Sequence, residues 1–278
     1  MSDSPLVGPR SAPDLHVASL NVRRRVPHRR VDHPDAWTRR RAAVLELLES
    51  ESPHLTALQE VLPDQEHWLT ERLPSRWTAV LRGRGRHGDG ERVGLLVDTG
   101  RLRITGEHVR ALSRRPDRIG SRSWGTLFPR IAVGLALEDR VTGTRFLAVA
   151  VHLDVASPLA RLRSAQLVVR WADEVGVPVV VLGDANAPAG SAPHRALTGA
   201  GFADTWTTAT THASEQWGTH LGYRAPRLGG RRIDLILARG TDGVRPSVSE
   251  AAVSTRRPGG VWPSDHAAVQ AVLRWETT

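Results

Sequence analysis

The chain contains no cysteine, no lysine and no uninterrupted apolar run near the length of a membrane span. Without cysteine, disulfides, thiolate zinc sites and cysteine nucleophiles are excluded, and any metal must take oxygen or imidazole ligands. Without an apolar stretch of about 18 residues no membrane-spanning helix is expected, and residues 1–13 lack the apolar segment of a signal peptide. These absences point to a cytoplasmic protein with a short flexible leader over residues 1–13. Without lysine, all 38 basic side chains are arginine, and the formal net charge is +9. Arginine forks match phosphate oxygens, but a GC-rich codon bias gives the same excess with no function attached. The charge therefore supports a phosphate-bearing partner and cannot establish one.

No linker, low-complexity segment or solenoid repeat interrupts the sequence, so residues 14–278 read as a single domain. With 278 residues, 40% of them hydrophobic, it can bury a sizeable core, and no obligate protein partner is evident.

The elements follow from hydrophobic periodicity. Residues 15–21 read as a strand ending in Asn21. Asp35 is placed to cap a helix to about residue 50, with Arg39, Arg40 and Arg41 on its solvated side. Residues 54–61 read as a strand ending in Gln59-Glu60, and Pro63 opens a helix to about residue 73. Strands follow at residues 77–82, 92–98 and 102–112, with a glycine- and arginine-rich loop between the first two. Residues 130–137 and 145–153 form a hairpin pattern closing on His152, and residues 158–175 a long helix. The run Val179-Val180-Val181-Leu182, apolar on both faces, reads as a central buried strand delivering Asp184 and Asn186 into one crevice. A short helix at residues 192–199, strands at 232–237, 247–254 and 267–275, and the loop Trp262-Pro263-Ser264-Asp265-His266 complete the chain.

Polar residues thus close several strands: Asn21, Glu60, His152, Asp184, Asn186, Asp234, Asp265 and His266. Each alone has a structural explanation as a turn former, a satisfied core histidine or an ion-paired carboxylate. Their joint order is informative. Ser19-Leu20-Asn21-Val22, Leu58-Gln59-Glu60-Val61, His152-Leu153-Asp154, Gly183-Asp184-Ala185-Asn186, Arg232-Ile233-Asp234-Leu235-Ile236 and Ser264-Asp265-His266 together resemble the endonuclease/exonuclease/phosphatase superfamily of metal-dependent phosphoesterases. The resemblance covers nearly the whole chain. It implies a four-layer α/β sandwich: two mixed, mostly antiparallel sheets packed face to face, helices on both outer faces, and the site at one rim.

Phosphoester hydrolysis needs charge neutralisation, an oriented water and help for the leaving oxygen. Glu60 is the best candidate ligand for Mg²⁺, or Mn²⁺, since such ions take oxygen donors. By resemblance, Asn21 and Asp265 assist the metal site, Asp184 orients or deprotonates the water, and Asn186 donates to a phosphate oxygen. His152 and His266 clamp the phosphate, with Asp234 paired to His266 and raising its pKa. Glu91 stands where DNase I-like members place a carboxylate for the other histidine, although a solvated loop residue reads the same way. Arg130, after Phe128-Pro129, resembles a recurring Pro-Arg that can reach substrate, with sheet-edge packing as the alternative. Two departures, Ala185 in place of an aromatic and Val151 before His152, leave the subfamily open.

The first expectation is a phosphodiesterase of nuclease type acting on nucleic acid, with rim contacts from Arg23 to Arg25, Arg29, Arg30, Arg82, Arg84 and Arg86. Trp124, Trp206, Trp217 and Trp262 lie in or beside loops and can stack on bases. The alternatives are a phosphatase or phosphodiesterase on a small phosphorylated metabolite or lipid head group, with residues 207–227 as specificity loop, or an inactive nucleic-acid-binding module.

Overall fold

A computed structural model describes residues 4–27, 30 and 32–277. The chain runs β1 (Leu15–Asn21), α1 (Trp37–Glu51), β2 (Leu55–Val61), α2 (Pro63–Thr70), β3 (Trp77–Gly83), β4 (Arg92–Asp98) and β5 (Leu102–Ala111). It continues through β6 (Ile131–Asp139), β7 (Arg145–His152), α3 (Pro158–Val175), β8 (Val179–Asp184) and α4 (Ala192–Thr198). The last third carries β9 (Ala203–Asp204), α5 (Thr205–Thr208), β10 (Thr211–His212), β11 (Asp234–Arg239), β12 (Val244–Ser254) and β13 (Ala268–Thr277). No helix among the described residues is long and apolar enough to cross a membrane.

Seven strands form one sheet in the order β10-β12-β13-β1-β2-β4-β3, and six form another in the order β5-β6-β7-β8-β11-β9. Both sheets are mixed. β1 and β2 run parallel, as do β7 and β8, while β8 and β11 are antiparallel with Asp184 opposite Asp234.

Side-chain alternation generates the layers. Leu15 and Val17 of β1, Leu55 and Ala57 of β2, and Leu95 of β4 face Val133 and Leu135 of β6, Ala148 of β7, and Val180 and Leu182 of β8 in one core between the sheets. The intervening residues face outward onto helices. Leu20, Leu58 and Leu96 pack on Val44 and Leu47 of α1; Leu147, Val149, Val179, Val181 and Leu235 pack on Val168 and Trp171 of α3. A central strand is therefore apolar on both faces, and polarity appears where the strands end at the rim. This is the four-layer α/β sandwich expected from the sequence.

Three local expectations are corrected. Asp35 does not cap α1: the cap position is Ala36, and the Asp35 carboxylate instead accepts from Tyr223 Oη at 2.6 Å and from Arg23. Arg40 is not solvated but 0% exposed. Its guanidinium donates to the carbonyls of Val22, Arg23, Arg24 and Asp35, and to Pro263 at 3.4 Å. A buried cation surrounded by carbonyl dipoles is satisfied without water. Within the stretch expected to be a flexible leader, the N–H groups of Leu6, Val7 and Gly8 donate to the Glu51 carboxylate, and Val7 is buried against Ala252 and Val272; residues 1–3 lie outside the described residues.

Gly183 lets β8 reach the rim. A Cβ at this position would stand 2.0 Å from the Val151 carbonyl oxygen of neighbouring β7. Gly183→Ala is expected to destabilise the fold by about 3 kcal/mol, the upper part of the usual overpacking range, or to abolish it; urea denaturation reads the loss, and a wild-type midpoint would refute this account of the strand pair.

Candidate active site

All eight polar strand-end residues meet at one rim of the sandwich. β1 and β2 bring Asn21 and Glu60 from one sheet; β7, β8 and β11 bring His152, Asp184 and Asp234 from the other. Asn21 joins them: its Nδ2 donates to Glu60 Oε1 and to Asp184 Oδ2, both at 3.1 Å. Its oxygen accepts from the Arg23 N–H at 2.9 Å. The amide orientation is thereby fixed with both protons turned to carboxylates.

Glu60 sits where the pairing of β2 with β4 slips between Leu58 and Val61, in a left-handed backbone conformation with φ of 60°. Such a conformation is disfavoured for a glutamate and persists only where its surroundings dictate it. Burial pushes the Glu60 carboxyl up, but the charges and donors facing it outweigh that effect and hold it at about 2. Besides His152 these are Asn21, the Arg24 N–H and the Arg23 guanidinium.

Asp184 behaves oppositely. It is desolvated, faces Asp234 across the strand pair, and is raised to about 7 despite hydrogen bonds from Asn21 and the Asn186 N–H. His152 Nε2 lies 3.6 Å from Asp184 Oδ2 and His266 Nε2 lies 4.0 Å from it. His152 is pushed down to about 3 by burial and by the neighbouring Arg130, so it is neutral near pH 7. Burial also pushes His266 down, but Asp234, bonded to Nδ1 at 2.9 Å, together with Asp184 and Asp265, raises it to about 10. One histidine is thus neutral and one cationic on either side of a carboxylate near its midpoint. Asn186, with φ of 47°, donates one amide proton to the Leu153 carbonyl at 3.0 Å, which leaves its second for a ligand.

Among the described residues, two groups of three His and carboxylate side chains are close enough to share a metal ion: His220, Asp265 and His266, and Asp184, Asp234 and His266. Both require His266, which as an imidazolium with Nδ1 bonded to Asp234 offers no lone pair. The oxygen donors Glu60 and Asp265 fit a hard divalent cation better. Between them lies the Arg23 guanidinium, 3.9 Å from Glu60 Oε2 and 3.6 Å from Asp265 Oδ2, so this pair of carboxylates already draws positive charge. Asn21 supports Glu60 rather than presenting its own oxygen.

Two flanking expectations resolve differently. Glu91 makes no bond to His152; it pairs with Arg84 at 2.8 Å and Arg24 at 3.4 Å, since charged guanidinium donors win a carboxylate over a neutral imidazole. Arg130 is buried beside His152 rather than packed at a sheet edge. Asp154 receives the N–H groups of Ala156 and Ser157 and shapes the entry to α3.

The sequence reading missed His220. Its ring lies edge-on to His266 at 4.9 Å, with Nε2 3.9 Å from Asp265 Oδ2. The loop is fixed by backbone bonds from Leu221 and Gly222 to the Asp265 carbonyl and from Ala267 to Thr219. A single histidine in an irregular segment carries no periodic signal, and only the placement of residues 207–227 as a specificity loop hinted at it.

Comparison with known proteins places the chain in a family. The model of the Endonuclease/Exonuclease/phosphatase family matches residues 18–266, and the chain belongs to that family, whose nuclease and phosphatase members are enzymes hydrolysing phosphoester bonds. No curated protein sequence matches it. An endonuclease/exonuclease/phosphatase from Bacteroides vulgatus is 27% identical with a TM-score of 0.85, covering 95% of this chain and 99% of its own. A mannosyl-6-phosphatase from Bacteroides thetaiotaomicron is 24% identical with a TM-score of 0.84, over 93% of this chain and 99% of its own. D. rerio TDP2, complexed with a single strand DNA product, is 16% identical with a TM-score of 0.71, over 94% and 99%. The last two likenesses show the fold alone.

The raised groups set the sign of the pH dependence. Stability contributed by His266 is fully present below its unfolded value of 6.5 and is lost as pH rises through about 10; Asp184, raised from 3.8 to about 7, acts in the same direction at lower pH. Unfolding free energy from urea titrations is expected to fall between pH 6.5 and 10, and Asp234→Asn to flatten that fall. An unchanged slope in the variant would show that Asp234 does not hold the His266 proton.

Proposed function

We propose that this family member is a divalent-metal-dependent phosphoester hydrolase in which Asp184 orients and deprotonates the attacking water. The observation carrying this reading is the position of Asp184: a desolvated carboxylate held near neutrality, within 3.6 Å of one histidine and 4.0 Å of a cationic second. A general base is most effective with its pKa near the working pH.

The remaining roles follow from which groups carry charge or free protons. His266, kept cationic by Asp234, faces the phosphoryl oxygens as a fixed positive charge. Asn186 adds its uncommitted amide proton, and His152 a neutral imidazole on the other side of Asp184. Glu60 and Asp265 would hold Mg²⁺ or Mn²⁺, with Asn21 fixing Glu60. When bound, the ion supplies Lewis-acid stabilisation of the charge on phosphoryl and leaving oxygens. Asn21 also ties the Glu60 side to the Asp184 side through a single amide, so the water-orienting carboxylate and the metal carboxylate keep a constant separation.

Nucleic acid is the substrate expected from the arginine excess. A small phosphorylated molecule is favoured by a specific observation: many rim arginines are neutralised within the protein. Arg25 pairs with Asp64 at 2.7 Å, Arg30 with Asp32 at 2.7 Å, Arg82 with Glu107 at 2.6 Å and Arg84 with Glu91 at 2.8 Å; Arg29 lies outside the described residues. Trp206, Trp217 and Trp262 are partly buried and pack against the inter-sheet core.

Turnover of p-nitrophenyl phosphate or bis-p-nitrophenyl phosphate is expected with Mg²⁺ or Mn²⁺, and activity undiminished in EDTA would sink the metal assignment. Asp184→Ala and His266→Ala should each lower kcat by about 10³-fold with the circular dichroism spectrum retained; near-normal rates would remove them from the mechanism. The pH profile of kcat/KM should climb through about 7 as Asp184 loses its proton and decline towards 10 as His266 does. A panel of single-stranded DNA, RNA and phosphorylated sugars at fixed salt separates the substrate classes.

A further inference from the structure

His220 stands at the rim beside the carboxylate of Asp265, and the chain holds it there from both sides. Thr219 before it is fully buried: its hydroxyl oxygen accepts from the N–H groups of Ile233 at 2.9 Å and Asp234 at 3.1 Å, and its carbonyl accepts from Ala267 at 2.7 Å. Leu221 after it is buried in the inter-sheet core, and its N–H donates to the Asp265 carbonyl at 2.7 Å. With both neighbours buried and an antiparallel bridge to His266 between them, the side chain of His220 turns outward, 57% exposed.

The two oxygens of Asp265 differ in what they face. Oδ1 accepts from the Ser264 hydroxyl at 3.2 Å. Oδ2 forms no hydrogen bond among the described residues; it faces Arg23 Nε at 3.6 Å and His220 Nε2 at 3.9 Å. Oδ2 is therefore the oxygen free to bind a cation. Two donors on one ion, with bonds of about 2.1 Å, stand about 3 to 4 Å apart, so Nε2 is within reach of an ion held by Oδ2. His266 has its Nδ1 tied to Asp234 at 2.9 Å, whereas neither ring nitrogen of His220 is hydrogen-bonded among the described residues. Its ring meets only the edge of His266, at 4.9 Å, and Asp265. Packing on His266 needs no more than a flat ring; the approach of Nε2 to Oδ2 brings a nitrogen donor to a carboxylate suited to a metal.

We propose that His220 Nε2 is a further ligand for the divalent cation held by Glu60 and Asp265, and that it biases the site from Mg²⁺ towards first-row transition ions. The inference rests on the metal-dependent reading and narrows the kind of ion that site takes. Mg²⁺ keeps to oxygen donors and gives up water reluctantly, so a nearby imidazole adds little to its binding. First-row transition ions accept imidazole, and their affinity for a mixed nitrogen and oxygen site rises from Mn²⁺ to Co²⁺. The neutral ring also supplies a donor without adding a further negative charge to a rim where Arg23 and His266 already face the carboxylates. Because Leu221 and Gly222 both hang from the Asp265 carbonyl, at 2.7 and 3.0 Å, imidazole and carboxylate are fixed relative to one another before any ion arrives. His220 acts on the ion alone and moves no proton.

The test reads the metal and not turnover. Pulsed electron paramagnetic resonance of the wild-type chain loaded with Mn²⁺ is expected to show the nitrogen hyperfine coupling of a directly bound imidazole. His220→Phe keeps a ring against His266 without the donor and should lose that coupling; His220→Gln, which offers oxygen instead, should lose it too. In calorimetric titrations His220→Phe is expected to lower Mn²⁺ and Co²⁺ affinity by at least about 10-fold, the lower end of what removing even an outer partner of a metal ligand costs. Mg²⁺ affinity should change by less than about 3-fold. Wild-type chain that binds Mn²⁺ without nitrogen coupling overturns the inference whether or not the variants fold. Coupling that persists in His220→Phe, or equal losses of Mg²⁺ and Co²⁺ affinity, overturns it as well. A wild-type chain that binds none of the three ions refutes metal dependence itself, a different result from Mn²⁺ bound through oxygen alone.

Discussion

One side-chain amide spans the two sheets at the rim. Asn21 ends β1, hydrogen-bonds to Glu60 beside it in its own sheet, and reaches across to Asp184 in the other. The interaction is possible because the inner faces of the two sheets bury a continuous apolar core, which sets their separation. It is also demanding, since both acceptors are carboxylates held largely away from water, where a lost donor is costly. The remaining active-site geometry is arranged around it, with His152 and the Asp234-His266 pair beside Asp184 and Arg23 beside Glu60.

The same rim holds two carboxylates in opposite electrostatic states. Glu60 faces an amide, a backbone N–H and a guanidinium, and burial cannot keep it protonated. Asp184 faces another acid, Asp234, across a strand pair, and its donors only partly offset that repulsion. Environment, not residue type, separates a group suited to hold a cation from a group suited to exchange a proton.

Much of this was legible in the sequence, because the fold is written in alternation and the site in what ends each strand. α3 falls on residues 158–175 as the periodicity indicated, and most strands agree to within two residues. Long-range partners were not legible. Arg40 reads as one of three surface arginines, yet its position in α1 turns it under the loop after β1, where carbonyls replace water. Asp35 has the composition of a helix cap, but Tyr223, 188 positions away, takes its carboxylate. Glu91 could be assigned to His152 until two arginines were seen to arrive first, and His220 belongs to no pattern at all. For Asp35 and His220 the decisive contact joins residues whose separation along the chain conceals it.

The burial of Arg40 has an implication for how such a site can change over evolutionary time. Because one guanidinium anchors the carbonyls of Val22, Arg23, Arg24 and Asp35, the loop after β1 and the first helix are expected to change together. Drift on the exposed face of α1 is free, but drift at its inner face alters the loop that presents Asn21 and Arg23. Grafting the loop into another member of the fold would require carrying the arginine with it.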